Sequence, residues 1–216
     1  MTTTGRRGRF ITLEGGEGGG KSTQTRLLVE ALRRSGHAVV QTREPGGSAG
    51  AEEIRRLLVE GATDRWDPMT EALLHYAARR DHVLRTIEPA LAAGQWVVSD
   101  RFADSTLAYQ GFGHDLGAEA IERLHHAAIG DFAPDLTLIL DLPVEEGLKR
   151  ALGRGGAEDR YERMDRDFHQ RMRDGFLSIA RRQPQRCVVL SALGSVGEVH
   201  GRVMEAVAAK FDLALS

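Results

Sequence analysis

Residues 15–22 read Gly-Gly-Glu-Gly-Gly-Gly-Lys-Ser. A glycine, four free positions and Gly-Lys-Ser make a loop almost without side chains. Such a loop can turn its backbone N–H groups inward onto phosphate oxygens. The flanks suit that use. Phe10 to Glu14 reads as a short buried strand, and Thr23 to Arg34 as an amphipathic helix with Leu27, Leu28, Ala31 and Leu32 on one face. The helix start brings a positive dipole end to the same point. Gly15, Gly16, Glu17, Gly18, Gly19, Gly20, Lys21, Ser22 and Thr23 are therefore candidates to surround a nucleotide's phosphates. Lys21 would reach the outer phosphates, and the Ser22 hydroxyl would hold Mg²⁺. Composition sharpens the motif. Lys149 and Lys210 are the only other lysines among 29 basic residues, so arginine is the default cation and a lysine at this position is selective.

The 216 residues suit one α/β domain with at most a small appendage. The net charge of −2 argues against a nucleic-acid partner. Cys187 is the single cysteine, which fits a reducing cytoplasm. No apolar run approaches the roughly 20 residues of a membrane span. Residues 1–9 are basic with no apolar segment behind them, so they read as a flexible tail rather than a secretory signal. Residues 10–216 then form the single domain.

Strand and helix patterns alternate along it. Strands are expected at 38–42, 95–101, 136–141 and 187–190, after the one at Phe10–Glu14. Helices are expected at 51–61, 119–129, 144–152, 161–182 and 196–211. A long helical stretch at 67–93 has Leu73, Leu74, Ala77, Leu84 and Ile87 on its inner face, with a break or kink at Pro89. Alternation of this kind predicts a doubly wound, three-layer fold around a five-stranded parallel sheet. Ligands of such sheets sit at the carboxyl ends of the strands. That places Asp100 and Arg101, which end a buried run, at the mouth of the site. Residues 153–160 carry almost no apolar side chain but contain Arg154 and Arg160. A mobile lid over phosphates, at about 153–161, and an ordinary exposed turn both fit that segment.

The loop alone implies nucleotide binding, not a reaction. A GTPase switch needs an Asn-Lys-x-Asp loop, and the chain contains no asparagine. A motor or partitioning ATPase is disfavoured by the short chain and near-neutral charge. A small-molecule kinase needs a second anion site facing the loop and a cover that excludes water. Arg43, Arg55, Arg79 and Arg101 are candidates for that site, and Arg154 and Arg160 for the cover. Singly each arginine suits a solvated face; together, at strand ends and loops, they favour a kinase.

Several blocks then resemble the thymidylate kinase family. They are the loop with Glu14 and Thr23, Thr42-Arg43-Glu44-Pro45-Gly46-Gly47, Asp100-Arg101-Phe102, the run from Asp104 to Gly111, and Pro134-Asp135-Leu136-Thr137. The resemblance runs from about Phe10 to the end. It implies transfer of the γ-phosphoryl of ATP to dTMP, giving dTDP on the route to dTTP, with Mg²⁺ and direct in-line transfer. It implies that Glu17 approaches the sugar 3′-hydroxyl of dTMP and that Arg101 grips its phosphate. By the same resemblance Asp100 is expected to be associated with Mg²⁺ and its waters, and Arg43, Glu44 and Arg55 to lie around the acceptor phosphate. It further implies that Arg79 reads a thymine carbonyl, that Thr106 and Gln110 lie at the base, and that Tyr109 lies near C2′ as a guard against ribose. The phosphate loop lacks an arginine, so the catalytic arginines of the bacterial arrangement fall to Arg154 and Arg160 of the lid, beside Lys21, Asp100 and Arg101. The family is usually homodimeric.

One position departs from the pattern. Where the family stacks a phenylalanine on thymine, one helical turn before the base-reading arginine, this chain has His75. An imidazole can stack, although over a smaller area; the alternative is a hydrogen-bonded core histidine, with Tyr76 or Phe102 partly substituting as the stacking ring. Phe102, where the family often has tyrosine, is a mild change. His125 and His126 lack metal-ligand spacing and read as surface or interface residues.

Overall fold

The computed structural model describes residues 7–152 and 160–213. Its sheet has five parallel strands in the order β2-β3-β1-β4-β5. These are β1 (Phe10–Glu14), β2 (Val39–Arg43), β3 (Trp96–Asp100), β4 (Leu136–Asp141) and β5 (Cys187–Ser191). The three central strands are buried almost throughout, whereas β2 and β5 alternate, as edge strands with one wetter face do.

Side chains on successive strand residues point to opposite faces, and the core divides accordingly. Ile11, Leu13, Val98, Leu138 and Leu140 face one layer, formed by helices α1 (Lys21–Arg34) and α9 (Val196–Phe211). Phe10, Val97 and Ile139 face the other. That layer contains α3 (Pro68–His82), α4 (Glu88–Ala92), α5 (Ala103–Thr106), α6 (Ala118–Ile129) and α8 (Arg166–Arg182). The shorter α2 (Ala49–Val59) packs on α3, and α7 (Val144–Leu152) on α8. The expected three-layer fold is present. Register aligns its functional end: Asp100 is level with Leu13 on one side and Arg43 on the other. Glu14, Arg43 and Arg101 thus emerge together at the carboxyl edge.

Three expectations about helices need correction. The stretch at 67–93 is interrupted before Pro89, by a π-helical turn at Val83–Ile87, and Pro89 sits harmlessly in the first turn of α4. Its expected inner face is partly outside: Leu73, Ala77 and Leu84 are exposed, while Ala72, Tyr76, Arg79, Val83 and Ile87 are buried. A buried arginine within the inward stripe disguises it. Third, α8 starts at Arg166 rather than 161, because the Asp165 carboxylate caps it by accepting from Phe168 N at 2.7 Å. Residues 7–9, placed with the tail, are tied to the domain. Gly8 N donates to Leu91 O at 2.9 Å, and Val97 N to Arg9 O at 2.8 Å.

Candidate phosphate-transfer site

The Gly-rich loop joins β1 to α1 as expected, and the helix begins at Lys21 behind Gly20, which has φ +81°. Two glycines are required by close approach. A Cβ on Gly15 would lie 2.4 Å from Leu140 O, and one on Gly18 would lie 2.2 Å from Gly147 O. The Lys21 ammonium donates to Gly16 O at 2.7 Å, folded over its own loop. Burial, with Arg101 nearby, lowers its pKa to about 8. The Ser22 hydroxyl donates to Asp100 Oδ2 at 2.5 Å, so two hard oxygen groups converge beside the loop.

Arg101 occupies a left-handed backbone position, φ +72°, unusual for a side chain of this size. Its neighbours hold it there. Arg101 N donates to Leu13 O at 3.0 Å, Ser99 Oγ to Arg101 O at 2.7 Å, and Phe102 N to Glu14 Oε1 at 2.7 Å. The guanidinium then turns back to Gly15 O at 3.0 Å and to Glu17 Oε1 at 2.9 Å. It lies over the Tyr109 ring, and the Tyr109 hydroxyl donates to the same Glu17 oxygen. Although burial opposes its charge, Arg101 and Lys21 hold the Glu17 pKa down at about 2. Glu14 has the opposite fate: burial and the neighbouring Asp104 push its pKa up to about 8.

The far end of the site is built on one stripe of α3, where Glu71, His75 and Arg79 follow at i, i+4 and i+8. Arg79 is 2% exposed. Its Nε donates to Glu44 Oε2 at 2.7 Å, and Nη2 donates to Phe102 O at 3.1 Å and Thr106 Oγ1 at 2.9 Å. Its Nη1 is buried with no hydrogen-bond partner among the described residues. Gln110 donates from Nε2 to Glu71 Oε1 at 2.6 Å, and its Oε1 is likewise unpartnered. The carboxylate only accepts, so it fixes which way the Gln110 amide faces. His75 Nε2 is 2.9 Å from the Tyr161 hydroxyl, and burial lowers the ring's pKa to about 4.

Most of these groups line one cavity of about 430 Å³, with Glu14 and Glu71 behind its wall. Around it lie Glu17, Lys21, Ser22, Asp100 and Arg101 at the loop end, and His75, Arg79, Thr106, Tyr109 and Gln110 at the other; Arg43, Glu44 and Arg55 complete its wall. Arg43 pairs with Glu52 at 3.1 Å, and Arg55 donates to Pro45 O at 2.6 Å.

Arg160 is the exception. Expected as a cover arginine, it is 2% exposed and fixed to the turn after α2. It donates to Ala62 O (2.9 Å), Leu58 O (3.2 Å) and Thr63 O (2.9 Å), and pairs with Glu71. Five donors in a planar fork suit such a carbonyl cluster. Arg154 and most of the expected lid, residues 153–159, lie outside the described residues. Sequence reasoning missed Glu71, Glu14 and Tyr161. Glu71 carried a signal, one helical turn before His75, but acids in a first helical turn are ordinary. Glu14 looked like any strand end, and Tyr161 like part of α8.

A five-stranded parallel sheet with Gly-Lys-Ser at its central strand end, facing a walled cavity with arginines opposite, defines a phosphate-loop nucleotide kinase. The comparisons with known proteins make this specific. The family profile described as Thymidylate kinase matches residues 13–203. Thymidylate kinase of Caulobacter vibrioides is 55% identical over 206 residues, covering 95% of this chain and 99% of that protein. Thymidylate kinase of Rhizorhabdus wittichii is 56% identical over 202 residues, covering 93% and 97%. The crystal structure of thymidylate kinase from Ehrlichia chaffeensis superposes with a TM-score of 0.74 at 35% identity, covering 93% of this chain and 99% of that one. The chain belongs to the thymidylate kinase family.

Proposed function

We infer that the chain performs its family's reaction: it phosphorylates dTMP to dTDP with ATP as donor, on the route to dTTP. The observation that carries this reading at the acceptor end is the pair of unpartnered atoms, Arg79 Nη1 and Gln110 Oε1. One offers a donor and the other an acceptor, both on side chains lining the same cavity. Thymine presents the complement, a carbonyl at C4 beside N3–H. Cytosine presents the reverse, an amine beside a bare ring nitrogen. A buried polar atom that finds its partner only in the correct ligand discriminates strongly, because the wrong ligand leaves it unpaired. His75 stacks on the base in place of the usual phenylalanine, uncharged because its pKa is so low.

Arg101 takes the acceptor phosphate, for which a guanidinium supplies two parallel hydrogen bonds. Glu17 takes the sugar hydroxyl, and Tyr109 fills the space beside C2′. Arg43, Glu44 and Arg55 frame the acceptor, with Glu44 acting through Arg79. Lys21 and the loop amides from Gly15 to Thr23 take the donor phosphates. The residues present suit Mg²⁺. Ser22 and Asp100 offer two adjacent oxygen ligands, and among the described residues no cluster of three His, Cys, Asp or Glu forms a protein cage. Magnesium keeps water and substrate oxygens and needs few protein ligands. When bound, it neutralises charge on the donor phosphates. The transfer is in line, so the protein contributes alignment and positive potential rather than a covalent intermediate. Lys21 and Arg101 supply that potential, with Arg154 the candidate from the lid. Arg160 acts at a distance, anchoring the end of the lid to α2 and α3.

Met69, Leu73, Ala77 and Leu84 form an exposed apolar stripe along the α3 region, of which Leu73 is 51% exposed. We assign it to a homodimer contact, and Leu73→Glu should shift sedimentation to the monomer. Among the described residues no helix is long and apolar enough to cross a membrane. A reducing cytoplasm suits the buried thiol of Cys187. An ADP-release assay with dTMP, dUMP, dCMP, AMP and GMP tests the reading. Turnover should be fastest with dTMP; preference for another acceptor would reassign the pocket, and release with none would make the chain a regulatory binder.

A further inference from the structure

His82 ends α3 with no exposed surface and does not line the cavity. Its imidazole nevertheless joins two groups that lead there. Nδ1 is 3.0 Å from Glu44 Oε1, and Nε2 is 2.7 Å from Thr42 Oγ1. The second oxygen of Glu44 accepts from Arg79 Nε at 2.7 Å. Proton positions follow from chemistry. A carboxylate can only accept, so Nδ1 carries a hydrogen; in the neutral ring Nε2 then accepts from the Thr42 hydroxyl. The Glu44 pKa is lowered despite its burial, with Arg79 and His82 as the stabilising neighbours, so the carboxylate is the charged acceptor this chain requires. The result is a single ordered chain, Thr42 to His82 to Glu44 to Arg79.

We propose that His82 is a positioning residue for the acceptor-base pocket. It holds one oxygen of Glu44, so that Glu44 meets Arg79 through the other oxygen alone and leaves Arg79 Nη1 for the base. The proposal rests on the reading that Arg79 addresses the base. A carboxylate released from His82 would be free to turn both oxygens onto the guanidinium, the stronger bidentate arrangement, and draw the fork out of line. Nη2 would then compete with its bonds to Phe102 O and Thr106 Oγ1. The fit around the ring is close. A Cβ on Gly47 would lie 2.3 Å from His82 Nε2 and 2.4 Å from Thr42 Oγ1. Gly47, at φ +88°, therefore lets the Pro45-Gly46-Gly47 loop lie directly on the His82–Thr42 pair. In this way the loop that shapes the acceptor side and the arginine that addresses the base are held by one buried side chain.

Steady-state kinetics on the full chain test this with His82→Leu, His82→Asn and Arg79→Met. His82→Leu should raise KM for dTMP about tenfold, the worth of a hydrogen bond to a charged group, and leave KM for ATP unchanged. His82→Asn places an amide N–H where Nδ1–H was and should recover most of that loss. In an Arg79→Met background His82→Leu should add nothing to the dTMP KM, since the two act as a unit. Equal rises in both KM values, no rescue by asparagine, or an additive effect in the double variant would overturn the role of His82 while leaving Arg79's intact. An Arg79→Met enzyme with normal dTMP KM would overturn the base reading and this inference together. Should His82→Leu fail to fold, Thr42→Val removes only the far partner. It should raise the dTMP KM by about threefold, and no rise would contradict the proposal.

Discussion

Arg101 and Glu17 are bonded to each other, Nη2 to Oε1, at 2.9 Å. The two groups assigned to the acceptor's phosphate and sugar satisfy one another across the cavity. They are 17% and 15% exposed, so neither charge is left unpaired in a largely dry place. Under the proposed assignment an arriving nucleotide would replace this bond with its own, while Gly15 O and Ser105 Oγ, which accept from Arg101 Nη1, would keep the guanidinium oriented.

If Arg101 holds the acceptor phosphate as proposed, Arg101→Ala removes positive charge from where negative charge develops during transfer. We expect kcat to fall by about 10²- to 10³-fold. ATP binding, carried by the loop and Lys21, should stay close to the parent's by equilibrium titration. A folded Arg101→Ala enzyme with near-normal turnover would refute the assignment.

Lys21 gives the site a pH dependence of defined sign. Its pKa in the empty protein is lowered to about 8, so the ammonium is intact below that value and lost above it. Because kcat/KM reports the free enzyme, kcat/KM for ATP should fall as pH rises through about 8. Bound polyphosphate favours the charged form, so kcat at saturating ATP should bend at a higher pH. Coincident bends in the two profiles would contradict this.

Arg160→Met should report on anchoring rather than chemistry. It strips three carbonyls of a donor and the buried Glu71 carboxylate of its arginine partner. Removing one partner of a buried pair costs about 3–5 kcal/mol. We expect a clear fall in unfolding midpoint, with KM for ATP retained at temperatures where the variant stays folded. Unchanged stability with a collapsed rate would return Arg160 to the transfer site.

The residues around the loop explain why so much was legible in the sequence. Backbone chemistry demands glycine at Gly15 and Gly18, and a buried parallel strand demands an apolar run, so both leave plain local marks. The stripe of α3 does not. Arg79 is a charged residue facing inward, and its reason lies in Glu44, 35 residues away. Spacing therefore put Leu73 and Ala77 inside and left Tyr76 as a substitute stacker. Arg160 misleads for the same reason. Its neighbours in sequence are polar and glycine-rich, but its partners are carbonyls of residues 58, 62 and 63. Long-range pairing of charged side chains decides these positions, and a single sequence carries no mark of it.

The most direct test of the account compares dTMP with 5-methyl-dCMP by calorimetric titration. The two share sugar, phosphate and methyl group and differ in the base edge assigned to Arg79 Nη1 and Gln110 Oε1. The account predicts that dTMP binds at least about 100-fold more tightly, because the wrong edge leaves two buried groups unpaired. It also predicts that the gap narrows in Arg79→Met, with Gln110 Oε1, held in orientation by Glu71, keeping the remainder. Equal affinity of the unaltered protein for both nucleotides would contradict it.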